Sequence, residues 1–583
     1  MNTVLIQTGD YSETRWYSFE GLREIILAQE LEKVTESILK VEKFVSQGYY
    51  AAGFISYEAA AGFDKALKVK TGSNRLPLVW FGIFKKIHLL DKLPATHRNF
   101  TAGKWKPQIS KADYLRNVQK IKEYLGKGDT YQINYTFPLR TDFKGSPLAL
   151  FNYLCGIYPS GYSSLIETDD FAICSVSPEL FFELDGENLK SKPMKGTAPR
   201  GVTNAQDKQN SQNLRTCLKN RAENCMIVDM IRNDMGRIAK PGSVNVPAMF
   251  EIEKYPTVLQ MTSTINCRTA APFSDIVTAL FPCASITGAP KVRSMKIIDE
   301  LEGSPRGVYT GSIGYLLPGR EARFNVAIRT VTIDKTISYA EYGTGGGIVW
   351  DSTGQMEYEE AASKTRVLNT NFPEFELLES ILWESGDGWL LLDRHISRLK
   401  DSAEYFDFSL NTSEIRASLE SHVSALSVGS YKIRLLVSKN GKFHIQSEAI
   451  APSNIKTPLR LAIAKEPVDI SNPFLYHKTT CRGVYHKFRN SVPDCDDVIL
   501  WNAAGEITET TIANIVIEQN GRLFTPPVEC GLLGGSFRAE LLETGKIQEA
   551  VIKTKDLERA DTIYTINSVR KWTKAALSVN DKS

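Results

Sequence analysis

Lys192-Pro193-Met194-Lys195-Gly196-Thr197-Ala198-Pro199-Arg200-Gly201 carries a lysine, Lys195, whose chemistry depends on its surroundings. On a surface it is an ordinary solvated cation. Set among other cations and apolar walls, its pKa falls and the amine becomes a nucleophile. A second lysine stands in His477-Lys478-Thr479-Thr480-Cys481-Arg482, followed further on by Glu509-Thr510-Thr511-Ile512-Ala513-Asn514. The two motifs point to two catalytic units in one chain.

Around Lys195, acids, bases and glycines recur in segments far apart in sequence. One is Arg221-Ala222-Glu223-Asn224-Cys225-Met226-Ile227-Val228-Asp229-Met230-Ile231-Arg232-Asn233-Asp234, and another is Phe281-Pro282-Cys283-Ala284-Ser285-Ile286-Thr287-Gly288-Ala289-Pro290-Lys291. The third is Gly345-Gly346-Gly347-Ile348-Val349-Trp350-Asp351-Ser352, then Glu357-Tyr358-Glu359-Glu360. Glu357 and Glu360 are three apart on a predicted helix and can face one point. With Glu223 they could hold an octahedral Mg²⁺, which takes a few carboxylates plus water and a ligand oxygen. Each acid alone reads as a solvated helix residue; the agreement of three neighbourhoods favours a site. The glycine run does not meet the G-x-G-x-x-G spacing of a dinucleotide site.

At 583 residues the chain exceeds what one core normally serves, so at least two domains are expected. A net charge of +3 without basic runs argues against nucleic-acid or membrane surfaces. Nine cysteines without C-x-x-C pairs favour reduced thiols. No signal peptide is evident, and the chain is expected to be cytoplasmic.

The periodicity predicts helices over 31–45, 111–126, 210–237 and 355–368. It predicts strands around a turn over 171–184, and strands over 322–333 and 336–342 before a turn at Gly343–Gly347. A seam falls near Asn369-Thr370-Asn371-Phe372-Pro373. Beyond it come a strand (376–383), a helix (395–406) and strands at 431–438 and 459–464.

Residues from about 110 to 368 resemble the chorismate-binding domain shared by anthranilate synthase component I, aminodeoxychorismate synthase component I and isochorismate or salicylate synthases. The resemblance implies an α+β fold: a two-sheet sandwich of large antiparallel sheets, with residues 1–108 as its N-terminal part and 110–368 as its catalytic core. It implies Mg²⁺ on Glu223 and Glu360 with Glu357 nearby, and a substrate, chorismate, bound by Tyr315, Arg329, Lys364 and the backbone of Gly345, Gly346 and Gly347. Lysine at position 195 matches the aminodeoxychorismate synthases, where it expels the 4-hydroxyl and is then displaced by ammonia. The family places a histidine where this chain has Gln260, and no histidine lies between His97 and His395. Glu223, Thr287 or a metal-bound water is left to move protons. Asn220 stands where relatives often carry an acid. The chain has no Gly-x-Cys-x-Gly elbow with a downstream His-Glu pair, so a separate glutamine amidotransferase (glutaminase) subunit or free ammonia is implied.

From about Phe375 onward the chain resembles 4-amino-4-deoxychorismate lyase and the branched-chain and D-amino-acid aminotransferases. This implies an α/β, fold-type IV pyridoxal 5'-phosphate domain over 375–583, following the first domain at 1–370. Lys478 would bind the cofactor, and Glu509 would pair with the pyridinium nitrogen. Arg398, Thr511 and Ser536 would hold the phosphate. The region after Glu376 is read as lacking the Gly-Asp-Gly element common near the start of this family, so a shortened substrate-facing loop is expected. A dimer through this domain is compatible with the resemblance.

Together the resemblances imply a bifunctional route from chorismate to 4-aminobenzoate, a folate precursor, with no nucleic acid or membrane as partner. Two alternatives stay open: an anthranilate synthase component fused to an aminotransferase, and an active synthase with a degenerate scaffolding C-terminal domain.

Overall fold

The computed structural model describes residues 2–9, 14–70, 72, 76–368, 374–450 and 458–578. The chain divides into two units, Met1–Pro199 with Ser211–Phe372 and Arg200–Asn210 with Pro373–Ser583. The seam expected at 369–373 lies outside the described residues. Residues 200–210 depart from the expected boundary by grouping with the C-terminal unit.

The first unit is built on a 19-stranded network among the described residues, with antiparallel pairings throughout its long strands. Arg15–Ala28 pairs with Val79–Leu90, and Gln132–Gly145 runs along Tyr339–Ile348. Phe171–Ser177 is buried at every position, as an apolar strand covered on both faces must be. Separate apolar cores form. The helix Val34–Ser46 feeds one through Val34, Ile38, Val41 and Val45, a stripe at helical spacing. The helix Lys111–Gly126 feeds another through Tyr114, Val118 and Ile121, against Tyr135 and Phe137.

Two expectations about elements change. The expected helix over 210–237 is two helices, Asn204–Thr216 and Leu218–Gly236, broken where Cys217 takes an extended ψ of 113°. The Gly343–Gly347 run does not turn the chain; it continues the strand Tyr339–Ile348. Glycine is needed there because the neighbours are so close. A Cβ on Gly345 would stand 2.3 Å from the Tyr135 carbonyl oxygen, and one on Gly343 would stand 2.2 Å from the Tyr309 ring.

In the second unit a four-stranded antiparallel sheet joins Gly388–Trp389, Leu377–Glu384, Ser430–Val437 and Phe443–Ala449. A second sheet is mixed, with Leu459–Ile463 parallel to both Asp497–Trp501 and Lys571–Leu577. Ile507–Thr510 pairs with Asn514–Gln519 as well as with Asp497–Trp501, which closes six strands into a ring. The helix Leu392–Phe406 packs Ile396, Leu399 and Ala403 into the apolar cluster beside the first sheet. All nine cysteines are without disulfides. No described helix is long and apolar enough to cross a membrane.

Candidate active sites

Lys195 lies in the strand Met194–Pro199, which pairs with Val258–Arg268. The register slips between Met194 and Thr197, so Lys195 and Gly196 occupy a bulge, the device by which a strand re-aims a side chain. Gly196 has φ +97°, a conformation suited to glycine. Gln260 braces the bulge: its Nε2 donates to the Gly196 carbonyl (3.0 Å) and its Oε1 accepts from Thr197 Oγ1 (3.0 Å). The residue at the family's histidine position therefore serves the backbone here.

The bulge turns Lys195 into a cavity lined by Glu179, Glu223, Tyr309, Arg329, Gly343–Gly347, Glu357, Glu360 and Lys364, among others. Burial pushes the Lys195 amine below its ordinary pKa, against the opposing pull of Glu223 and Glu179. Glu223 and Asn220 come from the first turns of the helix Leu218–Gly236. Glu357 and Glu360 come from the helix Gly354–Ser363, one turn apart. They converge near Gly346: the position of a Cβ there lies 3.4 Å from Glu357 Oε2, 3.7 Å from Glu360 Oε1 and 3.7 Å from Lys364 Nζ. Lys364 Nζ lies 2.8 Å from Glu360 Oε1, donates to the Gly345 carbonyl (2.8 Å), and holds Glu360 below the usual carboxylate range. Burial raises Glu223 and Glu357.

No group of three His, Cys, Asp or Glu among the described residues is close enough to hold a metal ion as it stands. The donor set still suits Mg²⁺, which keeps several waters and is commonly held by one or two carboxylates plus substrate oxygens.

Arg329 sits between the strands Glu321–Val326 and Thr330–Asp334 with φ +50°, a strained value for a non-glycine residue. Its carbonyl accepts from Val176 N (3.1 Å), and its guanidinium stacks on Tyr158 at 3.7 Å. Two expected residues lie elsewhere. Tyr315, on Ser312–Leu317, points into an apolar cluster against Tyr17, at 5.3 Å between ring centroids. Tyr309 lines the cavity instead. Its loop is anchored by Arg306, whose guanidinium reaches Glu302, the Ile286 carbonyl and the Asn134 carbonyl. Thr287 is fully buried and donates to the Cys283 and Ala284 carbonyls (3.3 Å each), while its neighbours Ser285 and Ile286 line the cavity.

Two residues that sequence reasoning missed stand beside Lys195. Glu179 is buried, accepts from Met194 N (3.4 Å), and is raised by burial to about 7. Its only signal was the turn Ser177-Pro178-Glu179. Gln132 is fully buried and neither side-chain polar atom has a hydrogen-bond partner. A Cβ on Gly347 would lie 2.7 Å from Gln132 Nε2 and 3.3 Å from Lys195 Nζ. Gly347→Ala should therefore displace both groups and lower stability by about 1–3 kcal/mol; thermal unfolding checks it.

In the second unit Lys478 is half-buried, and desolvation followed by the Arg398 charge lowers its amine to about 8. Its loop is fixed to the first sheet: Leu378 N donates to the Lys478 carbonyl (3.0 Å) and Glu376 N to Thr480 Oγ1 (2.9 Å). Glu509 sits where the strand ring closes, raised by burial to about 7. It accepts from Tyr485 Oη (2.8 Å) and Asn514 Nδ2 (3.3 Å). Arg398 forks onto Glu379 (2.9 and 2.6 Å) and donates to the Gly534 carbonyl (3.2 Å). Ser536 opens the helix Ser536–Glu543, and its buried hydroxyl has no hydrogen-bond partner. Thr511 departs from expectation: its hydroxyl donates to Asp497 and its carbonyl accepts from Arg482. The expected absence of a Gly-Asp-Gly element after Glu376 is wrong: Gly386-Asp387-Gly388 supplies it, and its last glycine opens the strand Gly388–Trp389.

These residues fit pyridoxal phosphate. An amine lowered to about 8, a buried carboxyl and an orphaned hydroxyl at a helix N-terminus beside an arginine match an aldehyde, a ring nitrogen and a phosphate.

Comparison with known proteins finds relatives for both units. The chain is 40% identical over 268 residues to aminodeoxychorismate synthase component 1 of Salmonella typhimurium, covering 46% of this chain and 59% of that protein. It is 38% identical over 353 residues to the Bacillus subtilis protein of the same name, covering 54% and 75%. The chain thus spans little more than half of the Salmonella relative. Among solved structures, anthranilate synthase component I from Streptococcus pneumoniae shares the fold, with a TM-score of 0.50 at 23% identity, covering 63% of this chain and 91% of that one. Residues 376–577 match the amino-transferase class IV family. Residues 7–370 match the chorismate binding enzyme family, and the chain belongs to it.

Proposed function

We propose that the first unit aminates chorismate to 4-amino-4-deoxychorismate and that the second releases pyruvate from it to give 4-aminobenzoate. The observation that carries this reading is the half-buried Lys195, whose amine is shifted toward its neutral form by desolvation in one cavity with Arg329, the glycine strand and the acids. Arg329 and the backbone of Gly345–Gly347 suit the substrate carboxylates. Mg²⁺, when bound, supplies positive charge to a ring carboxylate, and Glu223, Glu357 and Glu360 are the residues that would hold it.

Lys195 Nζ forms a C–N bond to the ring as the bond to the 4-hydroxyl breaks. Glu179, a raised carboxyl that lines the cavity beside the lysine, gives the departing hydroxyl its proton, and water leaves. Ammonia then forms the new C–N bond, the lysine–ring bond breaks, and the surplus proton returns to Glu179. This gives the chain a proton carrier without a histidine. Glu179→Gln should lower amination by about 10²- to 10³-fold with little change in KM for chorismate. The acid form is populated below about 7, so the parent rate should fall as pH rises through that value and the variant should lose this limb. A pH–rate profile decides.

In the second unit pyridoxal phosphate, when bound, supplies an electron sink. Lys478 Nζ would remove the ring proton, Glu509 would face the pyridine nitrogen, and Ser536 with Arg398 would hold the phosphate. The proton returns to the enolpyruvyl group, which leaves as pyruvate while the ring becomes aromatic. The relatives' designation as component 1 supports a separate glutamine amidotransferase as ammonia source. Mass and fluorescence of the products from chorismate, ammonium, Mg²⁺ and pyridoxal phosphate test the whole reading. An ortho-aminated product overturns it.

A further inference from the structure

Arg200 and Gly201 end the first lysine motif in sequence, and His477 begins the second; neither set has a part in the chemistry above. In the fold all of them belong to the C-terminal unit, because residues Arg200–Asn210 group with it. The local structure is tight. A Cβ on Gly201 would lie 2.3 Å from the Asp207 backbone nitrogen, so only glycine lets the chain fold back this closely. Asp207 Oδ1 accepts from Gly201 N (3.0 Å) and from Arg200 Nε (2.7 Å), and the two side chains are 1% and 8% exposed. A charge pair so buried holds one geometry, since breaking it strands a charge in the interior.

The pair is joined to the helix Leu392–Phe406 through Tyr405. Arg200 Nη2 donates to the Tyr405 carbonyl (2.7 Å), the guanidinium lies 4.5 Å from the Tyr405 ring centroid, and Tyr405 Oη donates back to the Gly201 carbonyl (2.7 Å). Lys208 and Asn204 both reach Glu404 on the same helix (2.9 Å each). Tyr405 then stacks on His477, with centroids 4.3 Å apart and planes 25° from parallel. Ser402 Oγ fixes the other side of that ring, 3.0 Å from His477 Nδ1. His477 is buried, and burial lowers its imidazole to about 4, so it is a neutral packing element at pH 7. The next residue is Lys478.

We propose that Arg200, Asp207 and Tyr405 form a positioning strap that holds His477, and through it the Lys478 amine, in place for the cofactor. The segment that follows the Lys195 strand thus supplies structural support to the second site. The inference rests on the reading of Lys478 as the cofactor lysine. None of the strap residues touches the reacting atoms; they act through the loop.

The test uses the full-length protein and two variants, Arg200→Ala and Tyr405→Phe. The second removes one hydroxyl and keeps the stacked ring, so it remains informative if the first does not fold. In cofactor-free protein, labelling of Lys478 by an amine-directed reagent is followed against pH by peptide mass mapping. The parent midpoint is expected at about 8. A positioning role moves the variants' midpoints upward by about one unit, as a loosened loop lets water reach the amine. It also slows uptake of pyridoxal phosphate several-fold, and Arg200→Lys restores part of both. Variants that keep the parent midpoint and uptake rate and lose only Tm overturn the strap. A parent that takes up no cofactor overturns the reading of Lys478 itself, and the strap with it.

Discussion

Lys195→Ala is expected to abolish amination of chorismate, with a loss on the order of 10⁴-fold, as for removal of other covalent nucleophiles. The size follows from the mechanism: without the amine, ammonia would have to displace a poor leaving group directly from an unactivated ring. Structure argues that the loss reports chemistry. Truncation leaves the bulge intact, since Gln260 and Asn224 hold it through the Gly196 and Lys195 carbonyls (3.0 and 3.4 Å). Relieving the buried amine of its desolvation should leave Tm unchanged or higher. Turnover of supplied 4-amino-4-deoxychorismate by the second unit should stay at the parent rate. Chromatography of the products from chorismate and ammonium measures the first effect. Parent-rate amination by the variant would overturn the covalent route.

Lys478→Ala should do the converse. Release of 4-aminobenzoate should fall by a comparable factor, the visible absorbance of bound cofactor should shift, and 4-amino-4-deoxychorismate should accumulate in the presence of chorismate and ammonium. The parent's cofactor uptake should rise with pH through about 8, where the neutral amine takes over. The same shift affects stability. The folded amine titrates near 8 and the unfolded one near 10.5, so between these values the unfolded chain binds more protons. Stability from this group therefore increases as pH rises from about 8 toward 10.5, and the full burial penalty applies below 8. The variant should lose that slope in denaturation experiments. A variant that still releases 4-aminobenzoate at the parent rate would favour a non-catalytic role for the second unit.

Much of this could be read from residues alone. Lys195, Glu223, Arg329, the glycine run, Glu357, Glu360 and Lys364 line one cavity. Lys478, Arg398 and Glu509 lie within electrostatic reach of one another. What escaped depended on strand pairing or loop packing. Tyr315 and Tyr309 are equally plausible by type, and only the facing of Ser312–Leu317 toward an apolar cluster separates them. The Lys195 bulge exists only relative to the register of Val258–Arg268. Glu179 looked like a turn residue, because nothing local signals that its carboxyl is buried beside an amine. The glycine run reads as a turn because glycine usually breaks a strand, and the bulky neighbours that require it come from distant segments.

The strand Tyr339–Ile348 has a consequence for variation in this protein. At Gly343, Gly345 and Gly347 even a methyl group would collide with the Tyr309 ring, the Tyr135 carbonyl or Gln132, whereas Gly346 has its nearest neighbours at 3.4 Å or beyond. Saturation mutagenesis across this strand should give an uneven map of tolerance, with Gly343 and Gly345 closed, Gly347 admitting alanine only by displacing the Gln132 side chain, and Gly346 admitting it freely. Attempts to retune substrate choice would do better at Gly346 than at the residues flanking it.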